Sequence, residues 1–143
     1  MAKQNEEYRI NHLAIWILVA VNQITGFLWY SLPVFGRTWM RLWGFASGEM
    51  MEASPLRFVF SILAAALLGY VLAWLFQRLQ VIYWVDGLKI ALLFCLSFTL
   101  LPRLVHDAFA GQTLGIAFID VGREFVNFAI YGVVLAEWKV RRK

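Results

Sequence analysis

Residues 57–76 read RFVFSILAAALLGYVLAWLF, with a single charge at the first position and none after it. At about 1.5 Å of rise per residue, a helix of this length covers about 30 Å, the thickness of a bilayer's hydrocarbon core. Ser61, Ala65, Gly69 and Ala73 recur every four residues along it. Small side chains at that spacing let a second helix backbone approach closely, which drives packing where the surrounding lipid tails are as apolar as leucine. The stretch predicts a membrane-crossing helix with a helix-packing seam on one face.

Three further blocks of the same character flank it. The sequence predicts spans at about 12–34, 57–78, 83–105 and 114–138, joined as an all-α polytopic membrane protein in an up-down bundle. Of its 143 residues, 62% are hydrophobic and 15% charged, where an ordinary soluble domain carries about 25% charge. Once the four blocks are set aside, too little chain remains for a water-soluble core, so residues 1–143 read as a single membrane domain. The first block is expected to remain as a span and not to be cleaved. Its leader mixes Glu6 and Glu7 with Lys3 and Arg9, and the apolar run from His12 to Phe35 outlasts a signal-peptide core.

Pro33 and Gly36 are expected to stop the first span. The next stretch, Arg37 to Trp43, is too polar to cross and too apolar for a simple loop. Helical spacing gathers Trp39, Met40 and Trp43 on one face and Arg37 with Arg41 on another. It predicts a short interfacial helix over about 37–45. Trp29, Tyr30, Trp39 and Trp43 are placed as interfacial anchors at the headgroup boundary. Gly48 to Pro55 is the longest polar connection.

An even number of spans puts both termini on one side. That side collects Lys3, Arg9, Arg78, Lys89, Lys139, Arg141, Arg142 and Lys143, against Arg37, Arg41, Arg57 and Arg103 opposite. The bias predicts cytoplasmic termini. The formal net charge of +4 gathers largely at a membrane-flanking tail, so it points to lipid headgroups and away from nucleic acid.

Ionisable residues inside a span are functional candidates by default. In the fourth block Asp120, Arg123, Glu124, Asn127 and Tyr131 fall on one helical stripe, with Phe118, Gly122, Phe125 and Ala129 opposite. The stripe must look into the bundle. Counting depth at about 1.5 Å per residue sets Asn22, Gln23 and Ser97 near the level of Glu124, and Arg103 near that of Asp120. Together they form a candidate ligand or ion pathway. If Arg103 turns inward, two cations meet two carboxylates and the network is neutral. If it turns outward, one negative charge is left over, as a proton- or ion-coupled transporter or a cationic-ligand pocket would need.

Other chemistry is thin. His12 and His106 are counted to opposite membrane faces and cannot share one haem. His106-Asp107 reads first as a solvated turn pair, and second as a proton relay or metal contact. Cys95 has no cysteine to pair with and packs as a small apolar residue. No P-loop, dinucleotide fingerprint, nucleophile elbow or zinc-protease helix is present. No metal site, cofactor or enzymatic activity is expected.

Leu28 to Met40 reads LWYSLPVFGRTWM. This resembles the signature of a family of small, mostly bacterial four-helix membrane proteins, the domain of unknown function 1761 family, with an LWYSP-like segment closing the first helix and an FGK-x-WM-like interfacial stretch. The resemblance continues through the alanine-rich second helix and returns at Asp120-x-Gly122 and the run to Trp138. Two features depart from it: the order Leu32-Pro33, and the charged Arg123-Glu124 where aromatic or apolar residues are usual. The family implies the topology and a bacterial inner (plasma) membrane, and supplies no reaction. Three functions follow in order: a non-enzymatic accessory or ligand/lipid-binding bundle, an oligomeric small transporter or channel using the stripe, and a lipid-acting enzyme using His106 and Asp107. The expected partners are membrane lipids and either a second copy of the chain or another membrane protein.

Overall fold

The computed structural model describes residues 8–45 and 54–141. Lys3, Glu6 and Glu7 of the leader, most of the polar connection from Gly48, and the last two cations, Arg142 and Lys143, lie outside them.

The described chain is helical: α1 His12–Trp29, α2 Arg37–Leu42, α3 Pro55–Arg78, α4 Trp84–Cys95, α5 Leu101–Phe109 and α6 Leu114–Glu137. Two π-helical turns, Leu32–Gly36 and Leu96–Leu100, lead into α2 and join α4 to α5. Tyr8–Arg9 pairs antiparallel with Val140–Arg141, so the start of α1 and the end of α6 lie side by side. The Asn11 side chain reinforces this by donating to the Trp138 carbonyl at 3.2 Å, while its oxygen caps α1 by accepting from Ala14 N at 3.1 Å. The Lys139 ammonium donates to the Val81 carbonyl, and burial holds its pKa below the ordinary lysine value against the opposing pull of Glu137.

Pro33, after the first span, acts as a helix opener. Tyr30 caps α1 and Ser31 is extended, so Pro33 falls in the first turn of the next helical segment, where its missing N–H is not needed. The first helix is therefore 18 residues long and stops before Pro33. Pro102 would clash with the carbonyl four residues earlier in a regular α-helix. The π turn directly before it widens the helix and absorbs that ring, so Trp84–Phe109 runs on as one rod of 26 residues.

Three helices, His12–Trp29, Pro55–Arg78 and Trp84–Phe109, are long and apolar enough to cross a membrane. Their outer faces expose Ile24, Phe60, Leu63, Leu67, Leu93 and Phe98. The fourth block, α6, matches α3 at 24 residues but carries Asp120, Arg123 and Glu124 in mid-length, too many charges for an apolar window. It is nevertheless the most enclosed helix, packed against α1, α3, α4 and α5, with Ile116, Ala117, Asn127 and Tyr131 at 1% exposure or less. Charges that would bar it from lipid are tolerable because its neighbours surround it.

The tightest crossing joins α4 to α6. A Cβ added at Gly132 would lie 2.7 Å from the Gly87 carbonyl oxygen and 2.8 Å from the Ala91 Cβ, and one at Gly87 would run into the Gly132 carbonyl. The seam expected on α3 is a looser one. Ala65 and Ala73 are buried, and a Cβ at Gly69 would sit 2.9 Å from Ile15 and 3.3 Å from Tyr131, both side chains. Ser61 exchanges hydrogen bonds with Gln23 of α1. The backbone-to-backbone approach comes instead from Gly87 and Ala91 meeting Gly132 and Ala136, two small-x-x-x-small pairs that the stronger periodicity of α3 overshadowed.

Candidate functional site

Asp120, two turns into α6, is the hub of the polar interior. Its Oδ1 accepts from the Tyr30 hydroxyl at 2.7 Å and from the Trp39 indole N–H at 2.9 Å, and its Oδ2 faces Arg103 Nη2 at 3.2 Å. Arg103 also donates through Nε to Asp107 Oδ2 at 2.7 Å, and Asp107 Oδ1 lies 3.1 Å from His106 Nδ1. The Asp107 carboxylate is 1% exposed and the His106 ring 75% exposed. A continuous polar chain thus runs from His106 at the surface through Asp107, Arg103 and Asp120 to Tyr30 and Trp39.

The turn between α1 and α2 makes this possible. The Gly36 amide donates to the Ser31 carbonyl at 3.0 Å, and any Cβ at Gly36 would collide with the Tyr30 carbonyl. Glycine lets α2 fold back there, stacking Trp39 edge-on against Tyr30 at 5.5 Å between ring centroids. Trp29 donates its indole N–H to the Ile119 carbonyl at 2.9 Å and lies over Gly122. Three of the four aromatic residues placed as headgroup anchors therefore aim their polar atoms at α6, while Trp43 stays exposed at 40%. The reason is electrostatic: a carboxylate inside the bundle needs donors, and the aromatic N–H and O–H groups at its level supply them.

One turn deeper, Arg123 pairs with Glu124 and lies over the Tyr30 ring at 5.9 Å. Gly26 of α1 makes room for it, since a Cβ there would sit 2.9 Å from Arg123 Nη1. Arg123 Nε is buried without a hydrogen-bond partner, as are both amide atoms of Asn127, a residue only 1% exposed. Tyr131 donates to the Ala65 carbonyl at 3.2 Å. Asn22 is buried at 5%, and Gln23 spends its amide on Ser61. Ser97 leaves the network: it shares the depth of Glu124 but is exposed, and Cys95 is the buried residue of that turn. Depth alone does not fix which way a side chain faces. His12 sits at the far end of α1, its Nδ1 3.0 Å from the Tyr70 hydroxyl.

The charges pair within this interior. Arg103 turns inward to Asp120, Arg123 meets Glu124, and Asp107 is shared by Arg103 and His106. Among the described residues no group of three His, Cys, Asp or Glu side chains is placed to hold a metal ion.

Two adjoining cavities open between α1, α3 and α6. The larger, about 840 Å³, is walled by Ile24, Phe27, Phe58 and Ile62, with Gln23, Tyr30, Trp39 and Asp120 among its polar lining. The smaller, about 440 Å³, reaches Ala65, Glu124 and Phe128. Asn22, Arg57, Ser61 and Arg123 line both. The larger volume falls in the range of small-molecule sites. Arg57 was legible in the sequence only as a boundary charge, and Tyr30 and Trp39 only as aromatic anchors. The signal for the latter two was the unmatched carboxylate of Asp120.

The residues that carry the family resemblance meet at this place, with Trp29, Tyr30 and Trp39 converging on Ile119, Asp120 and Gly122. No curated protein and no solved structure matches the chain. A family model described as "Protein of unknown function (DUF1761)" matches residues 13–136, nearly the whole of α1 to α6, and the chain belongs to that family.

Proposed function

We propose that the protein is a four-span integral membrane protein that holds an amphiphilic molecule of the bilayer in the cleft between α1, α3 and α6, and that it is not an enzyme. The observation that carries this reading is the cleft of about 840 Å³, whose exposed apolar lip of Ile24, Phe27, Phe58 and Ile62 leads to a polar floor of Asn22, Gln23, Ser61 and Arg123. An aqueous solute would not need such a lip, and a purely apolar one would leave the floor unmatched.

Several features support the topology. At 24 residues α6 is about 36 Å long, enough to cross, and its charges are enclosed by protein. The pairing of Tyr8–Arg9 with Val140–Arg141 agrees with an even number of passes. α2, with Arg37 and Arg41 exposed and Trp39 and Met40 half-buried, has the two faces of an interfacial helix. The basic residues at the terminal end of the bundle favour a cytoplasmic, inner-membrane placement of both termini. Against catalysis, Asp120 is held by three donors, and among the described residues no nucleophile is bonded to the His106–Asp107 pair.

The test is native mass spectrometry of the protein released from mild detergent, for wild type and for Ser61→Trp, which fills the cleft. Wild type should retain bound lipid that folded Ser61→Trp loses. Equal lipid retention in the two would sink the reading. An oligomeric proton- or ion-coupled transporter is the second reading, favoured by Glu124 and Arg123 on the wall of the 440 Å³ cavity. It requires uptake into proteoliposomes that disappears in Glu124→Gln.

A further inference from the structure

We infer that the molecule in the cleft is a phospholipid of net negative charge, with its phosphate between Arg57 and Arg123. The inference rests on the reading of the cleft as an amphiphile site and names the chemistry of its occupant.

Asp120 is matched by Arg103, Tyr30 and Trp39, and Glu124 is matched by Arg123. Neither carboxylate is left to neutralise Arg57, which forms no ion pair with any described residue. Arg57 and Arg123 come from facing helices and line both cavities where these adjoin. Arg57 therefore brings to the junction a positive charge with no described carboxylate in contact with it. Arg123 also keeps a buried Nε without a partner, a donor that calls for a polar acceptor. Phosphate oxygens match guanidinium donors in geometry as well as charge.

Level and direction agree. Arg57 lies in the first turn of α3, and the Arg123 guanidinium reaches from mid-α6 to Gly26 and the Tyr30 ring at the end of α1, so the arginine mouth of the cleft is near the end of the spans, where lipid phosphates lie. From that mouth Phe27 and then Ile24 descend along α1, and Phe58 and then Ile62 descend along α3. An acyl chain running between them would follow the same direction as the chains of the surrounding leaflet. A zwitterionic headgroup would bring its own ammonium beside two arginines, and like charges at short range are unfavourable. Free phosphate would leave the apolar walls unused.

The experiment titrates delipidated protein in mild detergent with dioleoyl phosphatidylglycerol, with dioleoyl phosphatidylcholine, and with inorganic phosphate, reading affinity and the thermal unfolding midpoint. Wild type should bind phosphatidylglycerol about fivefold or more tightly than phosphatidylcholine, the effect of about one basic residue near a membrane surface. That preference should vanish in Arg57→Gln and return in Arg57→Lys, and phosphate alone should not stabilise the fold. Arg57 is exposed at a helix start, so Arg57→Gln leaves the core intact. Equal affinity for the two lipids in wild type, or a preference that survives Arg57→Gln, would overturn the inference, as would phosphate matching phosphatidylglycerol. Ser61→Trp separates the two levels of failure. If both lipids bind equally and both are lost in Ser61→Trp, the headgroup assignment falls and the amphiphile site stands. If Ser61→Trp binds both as wild type does, the amphiphile site falls with it.

Discussion

Replacing Gly132 by alanine tests the packing that holds the whole arrangement, because α6 carries the polar stripe and α4 is its closest neighbour. In isolation the change favours the helix by about 1 kcal/mol, since alanine is the better helix former. The crossing reverses the sign. The new Cβ would lie 2.7 Å from the Gly87 carbonyl oxygen, 2.8 Å from the Ala91 Cβ and 3.0 Å from the Leu88 Cα, and ordinary contact begins near 3.4 Å. The helices must therefore part by 3.4 − 2.7 = 0.7 Å, and no rotamer can relieve the clash because the obstacles are backbone and Cβ atoms. A gap of that size forfeits about a quarter to a half of each dispersion contact along the seam. Overpacking of this kind costs about 1–3 kcal/mol, enough to outweigh the propensity gain at all but its lower end. The expected net loss is up to about 2 kcal/mol, seen as a fall of as much as several degrees in the unfolding midpoint of detergent-solubilised protein. Gly122→Ala, on the same helix, is the internal control. Its Cβ would meet only the Trp29 ring edge, 3.1 Å away, which can yield by a few tenths of an ångström. A Gly132→Ala variant that melts at or above wild type, or a Gly122→Ala variant that falls as far, would show that the α4–α6 crossing does not set the stability.

Three further substitutions probe the stripe. Asp120→Asn removes the charge that Arg103 faces and, if its oxygen goes on accepting from Tyr30 and Trp39, turns an amide N–H₂ towards Arg103, so unfolding stability should drop by about 2 kcal/mol, and an unchanged midpoint would show the cluster to be inert. Asn127→Leu replaces an unpartnered buried amide by an apolar group of similar size and should be neutral or stabilising by about 1–2 kcal/mol; a clear loss would mean that a bound molecule satisfies the amide. Arg123→Gln and Glu124→Gln should each destabilise, whereas the double variant should recover about 1–2 kcal/mol of the summed loss, since the two side chains answer each other. Strict additivity in that cycle would refute the pair.

Periodicity revealed most of the architecture because lipid imposes a length and a polarity on every crossing segment. The block at 57–78 was legible almost to the residue, as α3 runs Pro55–Arg78. The end of the first helix was not, because proline reads equally as a stop or as the opening of the next segment, and only the chain path shows that Ser31 breaks the helix before it. The stripe on α6 was legible from spacing, since five polar residues on one helix face can point in only one direction. Its partners across the bundle were harder. Matching depth brought Arg103 to Asp120 correctly and Ser97 to Glu124 wrongly, because depth leaves the helix rotation free. Aromatic residues at a membrane boundary carry the same ambiguity: Trp29, Tyr30 and Trp39 suit lipid headgroups as well as they suit Asp120, and nothing local chooses between them.

The same ambiguity bears on function. A carboxylate placed in a membrane for transport must be able to change its charge or its partner during a cycle. Asp120 is held by a cation and two neutral donors from three separate segments, α5, the end of α1 and α2, so releasing it would disturb the packing of all three. Among the described residues Glu124 pairs with its neighbour Arg123 alone, and it faces a cavity. If any ionisable group on the stripe exchanges partners, it is this pair, and the nearest available exchange is for an anion to take Arg123 while Glu124 is released to the 440 Å³ space. An anionic headgroup at Arg57 and Arg123 is therefore the event most able to unsettle the pair, which ties the transport reading to lipid occupancy. Uptake that depends on Glu124 but is indifferent to lipid charge would break that link, and uptake lost together in Arg57→Gln and Glu124→Gln would establish it.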